Sequence, residues 1–251
     1  VDKHGSTGAV TYKFYTDKEC ETGDETAAAP SDAGRYWVKA YMDAYANYSS
    51  AESDALAFEI SRKDITPAVN IEGWTYGVAA NTPAVIGNTG DGKVTYEYKV
   101  KDAVDSTYST VVPSDAGNYT VRATVAETKN YNSGTATLDF IILPKSIATA
   151  TIADIAPVRY TGDAIKLEPV VADGENTLTK DTDFTYSYEN NTDAGTATVK
   201  IIGKGNYTGE KTQNFTINKA ELTYKVATVK NIKVGSKLSA FEAVAPVSAI
   251  G

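Results

Sequence analysis

The stretch PSDAGRYWV, residues 30–38, returns as PSDAGNYTV at residues 113–121. A chain that writes this signature twice is repeating a structural unit, and the register extends outward on both sides. Asn47-Tyr48 and Asn130-Tyr131 follow, then Phe58-Glu59-Ile60 and Phe140-Ile141-Ile142. A weaker third copy keeps the order: Asp193-Ala194-Gly195, Asn206-Tyr207, Phe215-Thr216-Ile217. Upstream, Tyr12 and Phe14 recur as Tyr96 and Tyr98 and again as Tyr186 and Tyr188. Phe58 and Phe140 are 82 positions apart, Phe140 and Phe215 75. That period exceeds a solenoid repeat and suits a small independent domain.

The units read as strands. In VTYEYKV, Val94, Tyr96, Tyr98 and Val100 alternate with Thr95, Glu97 and Lys99, the period of a half-buried antiparallel strand. Tyr119, Val121, Ala123 and Val125 share one face of the next, and a loop with Asn130, Asn132 and Gly134 returns the chain as a hairpin. No helical pattern exceeds a turn, so the expected class is all-β: tandem immunoglobulin-like β-sandwich domains in an extended row. In such sandwiches a D-x-G-x-Y turn enters the penultimate strand and the tyrosine hydroxyl bonds back to upstream backbone. This predicts a structural tyrosine corner at Asp32, Gly34 and Tyr36 and at Asp115, Gly117 and Tyr119. The aspartates are expected to accept from amides of their own turn and the glycines to take a conformation costly for other residues. Val38 and Val121 stand where antibody domains place cysteine, and Ala197 replaces the third tyrosine, which predicts a variant sandwich there.

Four segments follow: residues 1–62, a partial repeat lacking its first strands; 63–145, a complete repeat; 146–219, a sister repeat; and 220–251, opening strands of a fourth. Val1 and Gly251 read as cut ends of a longer chain. The net charge of −8 argues against a nucleic-acid partner, and no apolar run reaches the length of a membrane span. Cys20 is the single cysteine, so an intrachain disulfide is impossible.

The second unit, with Trp74-Thr75-Tyr76-Gly77-Val78 and the motifs after it, closely resembles the bacterial immunoglobulin-like surface repeats called YGX-type. The third resembles a sister repeat of the same multidomain proteins. The resemblance covers most of residues 5–217. It implies secreted or cell-wall-attached proteins of Gram-positive bacteria, described as candidate adhesins, and it carries over no catalytic residue.

Candidate chemistry is sparse. His4, the only histidine, would have to serve any Ser-His-Asp or Cys-His arrangement. Cys20 reads as an inert thiol. The acidic cluster of Asp181, Asp183 and nearby Glu189 is a candidate calcium site, but Asp181-Thr182-Asp183 alone supplies too few oxygens and no D-x-D-x-D-G loop is present, so a solvated loop before a strand is the better reading. Neither catalytic residues, metal nor cofactor are expected. Asn47, Asn118, Asn206 and Asn214 each begin a glycosylation triplet that composition alone explains. The sharpest departure between repeats is Trp37, which with Tyr41 and Tyr45 forms a candidate ligand-contact stripe; exposed aromatics suit glycan or protein contact.

The expected function is a non-enzymatic fragment of a bacterial cell-surface or secreted protein, a stalk or spacer and candidate adhesion module. The alternative is an accessory region, spacer or carbohydrate-contacting, of an extracellular glycan-degrading enzyme. Expected partners are a host glycan or glycoprotein, neighbouring domains of the full-length protein, and strand pairing between the truncated ends of adjacent chains.

Overall fold

A computed structural model describes residues 8–21, 25–221 and 234–235. His4 and nearly all of the segment 220–251 lie outside the described residues. Among those described there is no α-helix, and none long and apolar enough to cross a membrane. The chain is all-β and divides into two compact units. One comprises residues up to Gly73, Ala80–Pro113 and Asn118–Ile141; the other comprises Trp74–Ala79, Ser114–Gly117 and the chain from Ile142 onward.

The first repeat supplies β1 (Val10–Tyr15), β2 (Gly34–Met42), β3 (Ala51–Glu52) and β4 (Leu56–Ile60). Strand β2 is central: β1 pairs antiparallel along one edge, and β3 and β4 along the other. Phe14, Tyr36 and Phe58 share a face, with the Tyr36 and Phe58 rings stacked at 5.7 Å and Phe14 edge-on to Phe58 at 6.1 Å. Tyr12 and Leu56 on that same face are exposed.

The second repeat supplies β5 (Ala68–Asn70), β6 (Trp74–Thr75), β7 (Ala84–Ile86), β8 (Val94–Val100), β9 (Gly117–Val125) and β10 (Gly134–Leu143). Strands β5 and β7 form a two-stranded sheet; the larger sheet runs in the order β6-β10-β9-β8. On the inward face Tyr98, Val121, Ala123, Val125 and Phe140 are buried and Val94, Tyr96 and Tyr119 half-buried; Thr120, on the opposite face, is buried as well. Val100, at the strand end, is exposed.

The third repeat supplies β11 (Lys145–Ser146), β12 (Thr151–Ile152), β13 (Val158–Arg159), β14 (Val171–Asp173), β15 (Asn176–Thr177), β16 (Phe184–Glu189), β17 (Gly195–Gly203), β18 (Tyr207–Thr208) and β19 (Glu210–Asn218). A sheet in the order β13-β19-β17-β16 accompanies the smaller β12-β14-β15 and β11-β18 sheets. Phe184, Val199, Ile201, Phe215 and Ile217 form a contiguous core with Ile147 and Val171. Ala197, fully buried opposite Phe215, stands where Tyr36 stands opposite Phe58. Two other tyrosines tie this sandwich across: Tyr186 donates to the Pro169 carbonyl at 2.5 Å and Tyr188 to that of Leu167 at 2.9 Å. This is the variant sandwich that the missing tyrosine predicts.

Candidate functional site: the aspartate–asparagine clasps and the outward sheet faces

In the first repeat the Tyr36 hydroxyl donates to the Asp32 carbonyl at 3.0 Å, four residues upstream, which is the corner expected from the motif. In the second, Tyr119 stacks on Phe140 at 5.8 Å as Tyr36 does on Phe58. The glycine has another role than expected. Neither Gly34 nor Gly117 has a positive φ. A Cβ at Gly34 would lie 3.3 Å from the Tyr36 hydroxyl, so the glycine leaves room for the ring that folds back over it.

The aspartate also differs from expectation. Among the described residues the Asp32 carboxylate accepts from Lys129 and Asn130 rather than from an amide of its own turn. Asn130, in the second repeat, donates from Nδ2 to Asp32 Oδ1 at 2.8 Å, and its Oδ1 accepts from the Ala33 N–H at 2.7 Å. The Lys129 ammonium binds the other carboxylate oxygen. The same arrangement recurs one repeat later: Asn206 donates to Asp115 Oδ1 at 2.9 Å and accepts from the Ala116 N–H at 2.7 Å. One planar amide thus satisfies a carboxylate and a backbone N–H together, a two-point contact that fixes orientation as well as distance. Each clasp lies within a single compact unit.

Backbone bonds flank each clasp. The Lys63 N–H donates to the Asn130 carbonyl at 2.9 Å, and the Lys63 carbonyl accepts from the Asn132 N–H at 2.9 Å. The Lys145 N–H donates to the Asn206 carbonyl at 2.9 Å, where β11 and β18 run parallel. The Lys145 ammonium then reaches Asp173 at 2.6 Å, and the Tyr207 hydroxyl donates to the same carboxylate at 3.1 Å. The lysine hydrogen bond, against opposing burial, holds the Asp173 carboxyl below the usual aspartate range. Lys129 first, then Asn130, lower that of Asp32.

The WTYG motif belongs to this construction. Trp74 is buried and pairs parallel with Ile142 in β10. The Tyr76 N–H donates to the Leu143 carbonyl at 2.8 Å, and its ring meets Tyr207 edge-on at 5.6 Å. Gly77 has φ +79°, a conformation that lets the chain turn away where a side chain would be strained.

The Trp37, Tyr41 and Tyr45 stripe does not form one exposed row. Trp37 and Tyr41 are half-buried, on the face that also carries Tyr15, itself only 2% exposed. Tyr41 shares a 2.6 Å hydrogen bond with the Tyr15 hydroxyl, Lys13 sits 4.9 Å over its ring, and Arg35 lies 5.2 Å over Trp37. Tyr45 is exposed but lies beyond the end of β2, in the turn it closes with Tyr48. Cys20 is buried; desolvation pushes its thiol up, with Lys39 opposing. Burial and the raised pKa both disfavour the thiolate, the nucleophilic form.

The corresponding face of the second repeat is an open cleft of about 510 Å³. Thr120, Arg122 and Thr124 line it, together with Tyr108, a residue of the aperiodic loop after β8 that alternation could not reveal. The Arg122 guanidinium lies 3.9 Å over the Tyr108 ring and Lys99 5.0 Å from it. Glu97 pairs with Arg122 at 2.8 Å and Asp105 with Lys99 at 2.7 Å, so the cations are already matched by local carboxylates. Among the described residues no group of three or more His, Cys, Asp or Glu side chains is placed to hold a metal ion. Asp183 instead accepts from the Thr179 N–H at 2.8 Å, and Lys204 donates to the Asp181 carbonyl at 2.7 Å.

Residues 74–146 match the model of the MBG domain family. The MBG match opens on Trp74 and closes at Ser146, so it spans the motif strand, the Asp115 turn and the Asn130 loop. No curated protein matches the chain. Among solved structures, zebrafish RET cadherin-like domains 1 to 4 align over 84% of this chain and 66% of that one, at 9% identity and a TM-score of 0.19. The chain therefore spans just under two thirds of that structure's length, and a likeness this weak carries no argument.

Proposed function

We propose that this chain is a non-catalytic stalk or spacer segment of an extracellular bacterial protein. Its repeats are of the YGX type found on Gram-positive surface proteins, held in the cell wall or secreted. In this reading its work is mechanical: it sets the distance between neighbouring domains and resists pulling. The observation that carries the reading is the recurring clasp, in which Asn130 and Asn206 each fasten the Asp-Ala step of the preceding repeat. Two-point side-chain contacts flanked by backbone bonds limit bending at a junction more than a flexible linker does. The MBG match over residues 74–146 and the Trp74–Val78 motif support the same reading.

The experiment is NMR relaxation on the whole chain. If the segment is a stalk, residues on both sides of the Asn206 clasp share one tumbling time, and Asn206→Ala separates them. Independent tumbling in the unaltered chain would refute the stalk.

A second reading keeps the extracellular setting and adds an adhesion role: contact with a host glycan or glycoprotein, or accessory binding beside a glycan-degrading catalytic domain. The cleft with Tyr108, Arg122 and a threonine-lined floor favours it, since an aromatic ring among polar groups suits sugar faces. A glycan and mucin array tests it, with loss of any signal in Tyr108→Ala expected.

A further inference from the structure

The edge strand of each main sheet sets an aromatic residue opposite a valine of the next strand: Phe14 faces Val38, Tyr98 faces Val121 and Tyr188 faces Val199. In antiparallel pairs, alternate residues turn their backbone groups toward the neighbouring strand and away from it. The Lys101 N–H donates to the Asn118 carbonyl and the Lys204 N–H to that of Asp183, across β8–β9 and β16–β17. Counting from those bonds, Lys99 and Ser187 face the neighbouring strand, whereas Tyr98, Tyr186 and Tyr188 turn their N–H and C=O groups outward.

In two repeats the chain fills that outward row itself. Phe14 and Thr26 exchange two backbone bonds of 2.9 Å, and Tyr98 and Ser109 exchange bonds of 2.7 and 2.9 Å. The filling residue belongs to the loop that leads on to the next strand, residues 16–33 in the first repeat and 101–116 in the second. In the third repeat residues 190–194 alone make that connection, too short a stretch to run back along the edge and return. Among the described residues β17 is the one strand that pairs with β16, and no hydrogen bond engages the outward backbone groups of Tyr186 or Tyr188. The gap lies inside the third repeat and follows from its short loop. Both rings are held inward through the Pro169 and Leu167 carbonyls, so the open strand is already in its final shape.

We infer that the outer edge of β16 is a docking site for an extended peptide segment, which adds a strand antiparallel to β16 with serine or threonine opposite Tyr188. A row of unpaired N–H and C=O groups is a template for such strand addition. The two filled edges define the chemistry. Residues directly opposite each other share a sheet face, so Thr26 and Ser109 each set a small hydroxyl side chain beside an inward aromatic ring. Two further bonds fall at Tyr186, two residues along. The β16 of a second copy fits the row less well. Pairing Tyr186 of one copy with Tyr188 of the other brings Phe184 opposite Asn190, and the Phe184 carbonyl already holds the Asp181 N–H at 2.7 Å. A peptide brings no such turn with it.

Titrating the whole chain with a synthetic peptide of residues 106–112, the stretch that fills the edge of the second repeat, tests this by amide NMR. The Tyr186 and Tyr188 amide signals are expected to shift and saturate with a Kd of about 0.1–1 mM. Their solvent exchange should slow about tenfold once about nine-tenths of the sites are filled. The Tyr98 amide, already bonded to Ser109, should not respond. The same peptide carrying Ser109→Pro lacks the N–H that the Tyr188 carbonyl would accept, and it is expected to shift neither signal. No response at Tyr186 and Tyr188, or an equal response to the proline peptide, would overturn the inference. So would signals at these two residues that move with protein concentration before peptide is added, which would make a second copy the occupant. The stalk reading rests on the Asn206 clasp and survives each of these results.

Discussion

Asn130 holds Asp32 from 98 positions further along the chain, donating to its carboxylate at 2.8 Å while accepting from the adjacent Ala33 N–H at 2.7 Å. Asn206 and Asp115 repeat the relationship. The Asp-Ala-Gly turn therefore has two duties. It starts a strand and seats a tyrosine ring in its own repeat, and it presents a carboxylate and an N–H to the following one.

Removing the amide should loosen the contact without unfolding a sandwich, because both partners sit at its surface. Asn206→Ala loses two hydrogen bonds, each worth about 1 kcal/mol net, so a loss of about 1–2 kcal/mol is expected. Chemical denaturation with probes in the third repeat measures it.

Acid should weaken the first clasp. The folded-state pKa of Asp32 is lowered by Lys129 first and Asn130 second. A depressed carboxyl contributes stability above its unfolded value, about 3.9, and that stability is lost as pH falls through the folded value. NMR titration of Asp32 should show a midpoint below the ordinary aspartate range, and Lys129→Ala should move it back up.

Alkali should weaken the third repeat. Burial pushes the Tyr186 hydroxyl up to about 12, while an unfolded tyrosine ionises near 10. A raised pKa contributes stability below the unfolded value and loses it as pH rises through the folded one. Tyr186→Phe should therefore flatten the alkaline part of the stability profile, read from thermal melts across that range.

Much of this architecture is legible in the chain. The spacing of Phe58, Phe140 and Phe215 marks the repeats, and the alternation from Tyr119 to Val125 marks a strand with a buried face. The partner of Asp32 is not legible. Nothing local to Asn130 distinguishes a clasp residue from a loop asparagine, and the pair meets only after two repeats have folded. Tyr108 escaped for a different reason: its loop has no period, so its cation-flanked position depends on tertiary placement alone. Counting alternation past Met42 put Tyr45 on a strand that had already ended, because a turn, not the strand, carries the chain from there.

The core of the third repeat gives a sharp packing test. Phe184 is 2% exposed within a contiguous apolar cluster. Phe184→Ala should cost about 3–5 kcal/mol through lost burial and the cavity left behind, measured by equilibrium denaturation.

The central claim, that an asparagine of one repeat is coupled to the aspartate of the repeat before it, is tested most directly by a double-mutant cycle on Asn206 and Asp115. Stabilities of the unaltered chain, Asn206→Ala, Asp115→Ala and the double variant suffice. The account predicts that the double variant loses less than the two single losses combined, with a coupling of about 0.5–3 kcal/mol. Single losses that simply add would contradict it.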